Sequence, residues 1–321
     1  SSTEIPLALV KDLCAAADGT NHDCASTDNT IQQNTQTFLE KITDYFRGDR
    51  SEEGTASTYQ FRKRSSKLGD LVHSSPLFIG EPDWGWPTGG LFPDDTTPAQ
   101  AYRTWAASIT RAPIVYVASN DGMLHGFRTE ETSSGDGDAG EEVLAYLPTT
   151  LFSESANEGI HYLADPTYGH KFYNDLTPIE ADVFIHYKAS GGGLVDVDGD
   201  TLNPINTPDM DPDDRAWRTV LLGGQRAGGR GMYLLDVTDP AKFTEATADE
   251  VVLWEFTHND LGYSFSEPTI AMMNNGKFAA IFGNGYKSGE DGGSGDCRAK
   301  LFIVYLEGGL DGDWTDTGDY Q

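Results

Sequence analysis

Apolar and polar positions alternate in short runs along most of the chain. Ile114 to Ala118 (IVYVA) is β-rich, Asn120-Asp121-Gly122 turns the chain, and Met123 to Phe127 forms a second short run. A polar loop follows, and Val143 to Leu147 makes a third. Strand, tight turn, strand, loop, strand predicts an antiparallel meander. The layout returns in Trp217–Gly223, Met232–Val237 and Val251–Phe256, and again in Pro268–Met273, Lys277–Phe282 and Leu301–Leu306. Val115, Leu221 and Ile281 occupy equivalent strands, without an exact period. Residues 31–47 instead repeat apolar side chains at helical spacing (Phe38, Ile42, Tyr45, Phe46), which predicts a helix ended by Gly48.

Small antiparallel sheets repeated in this way predict an all-β chain built as a β-propeller. A β-sandwich with Greek-key pairing is the rival. The expected division is a polar arm and short helix over residues 1–60, then propeller blades with long inserted loops over 61–321. A propeller needs about four blades to close, so three meanders and a last turn at Leu310-Asp311-Gly312-Asp313 predict an incomplete ring. The chain does not begin with Met and shows no signal peptide, which reads as a mature or trimmed fragment.

Charge narrows the partners. Lys plus Arg number 22 and Asp plus Glu 51, giving a net charge of −29. That charge opposes binding to nucleic acid or anionic membranes and favours solubility and cation capture. No stretch reaches the roughly 18 apolar residues that a membrane helix needs. Cys14 and Cys24 are spaced for a local disulfide, which would imply an oxidising compartment; Cys297 is left over.

The clearest candidate chemistry is Val195 to Asp214, VDVDGDTLNPINTPDMDPDD. Asp196, Asp198 and Asp200 alternate, so an extended loop points three hard oxygen donors one way, as Ca²⁺ prefers. Asp209, Asp211 and Asp213 are candidate later ligands, and Asn203 and Asn206 offer amide oxygens. The loop is not an EF-hand: Thr201 stands where glycine is required, and Thr207 where Glu belongs. The alternative is a solvated acidic loop. Asp136 and Asp138, the run from Gly289 to Asp296, and Asp311 with Asp313 are weaker acidic sites of the same kind.

Arg47-Gly48-Asp49 spells the integrin-recognition tripeptide, or is simply a helix end and turn in which the helix hides Arg47. Trp84, Trp86, Phe92, Tyr102 and Trp105 crowd one long connection, either packing on a sheet or presenting a recognition surface. No GxSxG, HExxH or P-loop occurs. His73-Ser74-Ser75 places hydroxyls beside an imidazole, but strand neighbours face opposite ways. His125 reads as a partly buried, hydrogen-bonded histidine. His161, His170 and His186, with Asp165 and Asp182 between them, form a weak candidate metal set.

Eight ordered blocks carry a family resemblance: YFRGDRS (45–51), FRKR (61–64), LGDLVHSSP (68–76), YVASNDGMLHGF (116–127), GGQRAGGRGMYLLDVTDP (223–240), VLWEF (252–256), LGYSFSEP (261–268) and FGNGY (282–286). The chain resembles the C-terminal domain of the PilY1/PilC proteins of type IV pili. The resemblance implies a propeller of the quinoprotein-dehydrogenase type and a non-enzymatic role in pilus assembly, retraction control, twitching and adhesion. It implies a secreted or cell-surface location at the bacterial outer envelope, with minor pilins at the pilus tip and host or abiotic surfaces as partners. The family's calcium loop lies in a later blade and transfers to no residue here. The alternative implied by the quinoprotein likeness is an oxidoreductase using a PQQ-type cofactor; no vicinal cysteine pair is present to stack beneath a quinone.

Overall fold

The computed structural model describes residues 12–14, 29–96, 100–131, 137–155, 157–191, 193–195, 214–288, 297–316 and 318–321. Helix α1 spans Asn29–Phe46. It forms where helical spacing predicted it, because Phe38, Ile42 and Tyr45 share one face and are almost wholly buried. They pack with Phe61 and Leu13 in a small core of their own.

Three antiparallel sheets follow. The first has the order β1 (Leu77–Ile79), β2 (Ile114–Ala118), β3 (Leu124–Arg128), β4 (Glu142–Tyr146). Helix α2 (Tyr102–Ser108) lies in the connection between β1 and β2. The second sheet is β5 (Ile179–Ile185), β6 (Ala216–Gly224), β7 (Met232–Asp236), β8 (Val252–Phe256), with the one-turn helix α3 (Ala248–Val251) leading into β8. The third is β9 (Thr269–Met272), β10 (Phe278–Gly283), β11 (Leu301–Tyr305). Along the outer edge of β11, Gln321 and Ile303 exchange two main-chain hydrogen bonds of 2.8 Å.

The expectation of an all-β propeller is corrected by this topology. The fold is mixed α/β. Each sheet is open, with hydrogen-bonded neighbours only in chain order, and among the described residues no curled or closed blade ring forms. An 18-residue helix stands beside the sheets. Strand β5 is not among the strand runs expected from the sequence, although Ile179, Ala181, Val183 and Ile185 alternate as a strand requires.

Successive sheets bury their facing sides. Ile114, Tyr116 and Leu124 of the first meet Leu221, Tyr233 and Leu235 of the second. The opposite face of the second, through Val183, Trp217, Leu234 and Phe256, meets Phe278, Phe282, Phe302 and Val304 of the third. Arg111 ties the first pair, donating from Nε to the Gly80 carbonyl at 2.6 Å and from Nη1 to Thr219 Oγ1 at 2.8 Å. The aromatic-rich connection packs inward. Trp86 stacks on Trp84 and Phe92, meets Phe278 edge-on, and donates its Nε1–H to the Asp182 carbonyl; Tyr102 and Trp105 lie against Trp217. Among the described residues no helix is long and apolar enough to cross a membrane.

Candidate binding surface

At one end of the second and third sheets, three loops knit into a platform. The β6–β7 loop carries Arg226 and Arg230, the segment before β9 carries Tyr263 and Phe265, and the segment after β10 carries Tyr286 and Lys287. Tyr263 and Tyr286 exchange main-chain hydrogen bonds, 2.8 Å from the Tyr263 N–H and 3.1 Å from the Tyr286 N–H. The Ser264 N–H reaches the Gly229 carbonyl, and Ser264 Oγ accepts from the Arg226 N–H at 2.9 Å. Two glycines permit this closeness. A Cβ on Gly228 would lie 1.8 Å from the Tyr173 carbonyl oxygen. One on Gly285, whose φ is +72°, would lie 1.9 Å from that of Tyr263.

Each platform cation lies over a ring: Arg226 is 4.9 Å from the Phe265 centroid, Arg230 5.3 Å from Tyr263, and Lys287 5.8 Å from Tyr286. Phe265 and Tyr286 meet edge to face, 6.4 Å between centroids, and are 42% and 61% exposed. Beneath Arg226, buried Asp175 holds His73 Nδ1 at 2.6 Å and Arg226 Nη1 at 3.4 Å. The platform thus unites parts of LGDLVHSSP, GGQRAGGRGMYLLDVTDP, LGYSFSEP and FGNGY. Each block is visible singly in the sequence, but nothing there marks them as one site. Their glycine density was the signal that the backbones approach one another.

A second feature lies at the free edge of the first sheet. A groove of about 800 Å³ is lined by β4, by the end of α1 and by residues 242–252, and it adjoins a cleft of about 360 Å³ through Phe46, Lys67, Leu68 and Met123. His125 sits at its wall, 4% exposed. Its Nδ1 bonds Glu142, and its Nε2 lies 3.1 Å from both oxygens of Asp121. Burial works against the imidazolium, but these two carboxylates outweigh it and raise the His125 pKa to about 9. Asp121 is lowered in turn: burial opposes, and the bonds from His125 prevail. Arg47, expected to be hidden, is not. Its side chain is 65% exposed and pairs with Glu245 at 2.8 Å across the groove, just past the end of α1. Asp49 accepts the Ser51 N–H at 2.6 Å.

The other sequence-predicted residues separate. Asp196, Asp198, Asp200, Asp209, Asp211 and Asp213 lie outside the described residues, as do Asp136 and residues 289–296. Asp311 and Asp313 accept the N–H groups of Asp313 and Thr315, in local turns. His161, His170 and His186 do not assemble. They pair with Asp12, Asp70 and Glu307 respectively, while Asp165 caps Thr167 and Asp182 binds Tyr102 and Thr219. Ser74 Oγ accepts the Ala118 N–H and so serves the sheet. Among the described residues no three His, Cys, Asp or Glu side chains are grouped to hold a metal. Cys14 is disulfide-bonded, Cys297 is a free thiol, and Cys24 lies outside the described residues.

Comparison with known proteins adds a family. Residues 68–314 match the family model described as the PilY1 beta-propeller domain. The chain is similar to the type IV pilus biogenesis factor PilY1 of Pseudomonas aeruginosa strain PAK, 38% identical over 83% of this chain and 18% of that protein. It is also similar to a PilY1 homolog of Xylella fastidiosa strain Temecula1, 34% identical over 84% of this chain and 15% of that protein. The chain therefore spans less than a fifth of the length of these relatives. The crystal structure of the P. aeruginosa PilY1 C-terminal domain aligns with 66% of this chain and 31% of that one, at 35% identity and a TM-score of 0.40.

Proposed function

Because the chain belongs to the PilY1 family, matched over residues 68–314, we propose that it is a non-catalytic, pilus-associated module that supports type IV pilus biogenesis and adhesion. The family match carries this reading. What surrounds it is consistent. Among the described residues, His73, His125, His161, His170 and His186 each pair with a carboxylate. The polar groups that reach the surface with exposed rings are cations of the platform, a binding arrangement more than a reactive one.

In this reading the module acts outside the cell, at the pilus. It contacts minor pilins at the tip, contributes to retraction control and twitching, and meets host or abiotic surfaces. Calcium modulates it through Asp196, Asp198 and Asp200 with Asp209, Asp211 and Asp213, a reading that rests on the spacing of those carboxylates alone. The test is a pulldown with purified minor pilins run beside a quinone-dependent dye-reduction assay. Pilin retention without dye reduction is the expected result. Dye reduction at an enzymatic rate without pilin retention overturns the proposal.

A further inference from the structure

The last strand of each sheet in chain order has an outer edge, and two of those three edges are covered. On β8, the carbonyls of Val252 and Leu253 accept from Lys188 Nζ at 3.2 and 2.6 Å, and that of Glu255 accepts from Trp314 Nε1–H at 2.8 Å. On β11, Ile303 and Tyr305 bond the main chain of Gln321 and Asp319. On β4, among the described residues, no main-chain group bonds a partner other than β3. Arg128 exchanges main-chain bonds with Gly140 and Glu141, so Arg128, Gly126 and Leu124 are the residues of β3 that face β4. Ala145 lies opposite His125, between those rungs, and turns its N–H and carbonyl outward. Its side chain is exposed as well.

Open edges are ordinarily blunted by charge, proline or a covering segment, because they pair with whatever strand arrives. From Val143 to Leu147 this edge reads VLAYL, with neither charge nor proline. The β-bulge lies at its Val143 end and leaves Leu144 to Tyr146 in regular register. The six consecutive residues 142–147 all line the groove of about 800 Å³, so the groove follows the edge and not one face alone. Half-buried Phe46, Leu68, Phe127 and Phe243 give it apolar walls. Arg47, Lys67 and Lys242 line it against Glu142 and Glu245, an excess of cations in a chain of net charge −29. Arg47 is paired with Glu245 and Lys242 with Glu250. Lys67 is exposed and, among the described residues, makes no hydrogen bond or ion pair; its charge is felt only by Asp49.

We infer that the edge of β4 receives an extended peptide segment of a partner protein as a fifth strand of the first sheet, with apolar side chains at alternate positions and an acidic residue beside Lys67. The outward N–H and carbonyl of Ala145 call for another main chain, which repeats donor and acceptor at strand spacing. Strand β4 extends about 17 Å, room for about five guest residues. Alternate guest side chains fall on the apolar walls, and those between them point away. A second copy of this chain fits less well, because it brings another net charge of −29 to the same surface. The edge stands apart from the family reading given above and does not depend on it.

The experiment measures the fluorescence anisotropy of labelled seven-residue peptides mixed with the chain. The parent peptide carries Val at alternate positions, Thr between them and Asp at one end. Its controls end in Lys, group the valines together, or carry N-methyl groups at alternate residues on one edge or the other. The parent is expected to bind. Of the two methylated peptides, the one whose methyls meet β4 is expected to bind at least tenfold more weakly, and the other to keep its affinity. Ala145→Pro removes an outward N–H and no bond to β3, so it is expected to keep the melting temperature and to weaken binding at least tenfold. Lys67→Glu is expected to reverse the preference for an Asp end over a Lys end. Four results overturn the inference: no alternating peptide binds, both methylated peptides bind like the parent, folded Ala145→Pro binds like the wild type, or the chain is a dimer that Ala145→Pro separates, which gives the edge to a second copy.

Discussion

His186 Nδ1 lies 2.7 Å from a carboxylate oxygen of Glu307, with both side chains almost fully buried. The same carboxylate receives Nε and Nη2 of Arg215 at 2.7 and 2.8 Å and the main-chain N–H of His186 at 3.0 Å. His186 follows β5 and Glu307 follows β11, so this cluster joins the second sheet to the third. Burial would raise the Glu307 pKa; the His186 hydrogen bond and the Arg215 charge overcome that and lower it to about 2. A carboxyl depressed in the folded state stabilises above its unfolded pKa, and that contribution disappears as pH falls from about 4.5 towards 2. Glu307→Gln is expected to cost roughly 3 kcal/mol near neutral pH, because it leaves a partly buried guanidinium without its counter-charge. Urea unfolding of both proteins at pH 7 and pH 3 checks this, with the difference shrinking at the lower pH.

His125 carries the opposite sign. Its folded pKa of about 9 lies above the ordinary 6.5, so its stabilisation is complete below about 6.5 and is lost as pH rises through 9. The wild type is therefore expected to lose about 2–3 kcal/mol between pH 6.5 and 9.5, and His125→Gln to lose little over the same range. Denaturation midpoints across that range, with an NMR titration of the imidazole, provide the measurement. Equal slopes for the two proteins would refute the assignment.

Gly285→Ala probes the platform backbone. The added methyl would meet the Tyr263 carbonyl at 1.9 Å, at a φ of +72°. Left-handed strain costs about 1–2 kcal/mol and overpacking about 1–3, so a loss of at least 2 kcal/mol is expected in urea unfolding. Gly312→Ala is the control for φ alone. Its φ is +85° with nothing within 4 Å of the Cβ, and only the strain cost is expected there.

Local pattern was the legible part of this chain. Val115, Leu221 and Ile281 do fall in the second strand of each sheet, because alternation of side chains is a local property of a half-buried strand. The same alternation was present in Ile179–Ile185 and went unread beside long polar connections. The all-β propeller assignment failed because it depends on how sheets are placed on one another, which period-2 patterning does not encode. The ion pairs were illegible for a related reason. His73 and Asp175 are 102 positions apart, His186 and Glu307 are 121, and His161 and Asp12 are 149. The platform joins blocks that could be seen singly in the sequence but not as neighbours. Arg47 was misread because the helix ends at Phe46, one residue before it.

Asp196, Asp198 and Asp200 put three carboxylates within five residues of a chain that already carries a charge of −29. In water such groups repel one another at a few ångströms, and that repulsion is only partly screened by salt. A divalent cation bound between them would convert that repulsion into attraction. Ca²⁺ suits it better than Mg²⁺, since it accepts six to eight oxygens in an irregular shell and sheds its waters more readily. Asn203, Asn206 and the later Asp209, Asp211 and Asp213 can complete such a shell, while Pro204 and Pro208 limit how tightly the loop wraps. Calorimetric titration of the wild type is therefore expected to show calcium uptake with a dissociation constant on the order of micromolar to millimolar. Asp198→Ala, which removes the middle carboxylate of the three, is expected to weaken that uptake at least tenfold while Mg²⁺ at the same concentration fails to replace it. Equal uptake by both proteins, or none by either, would show that these aspartates do not hold calcium.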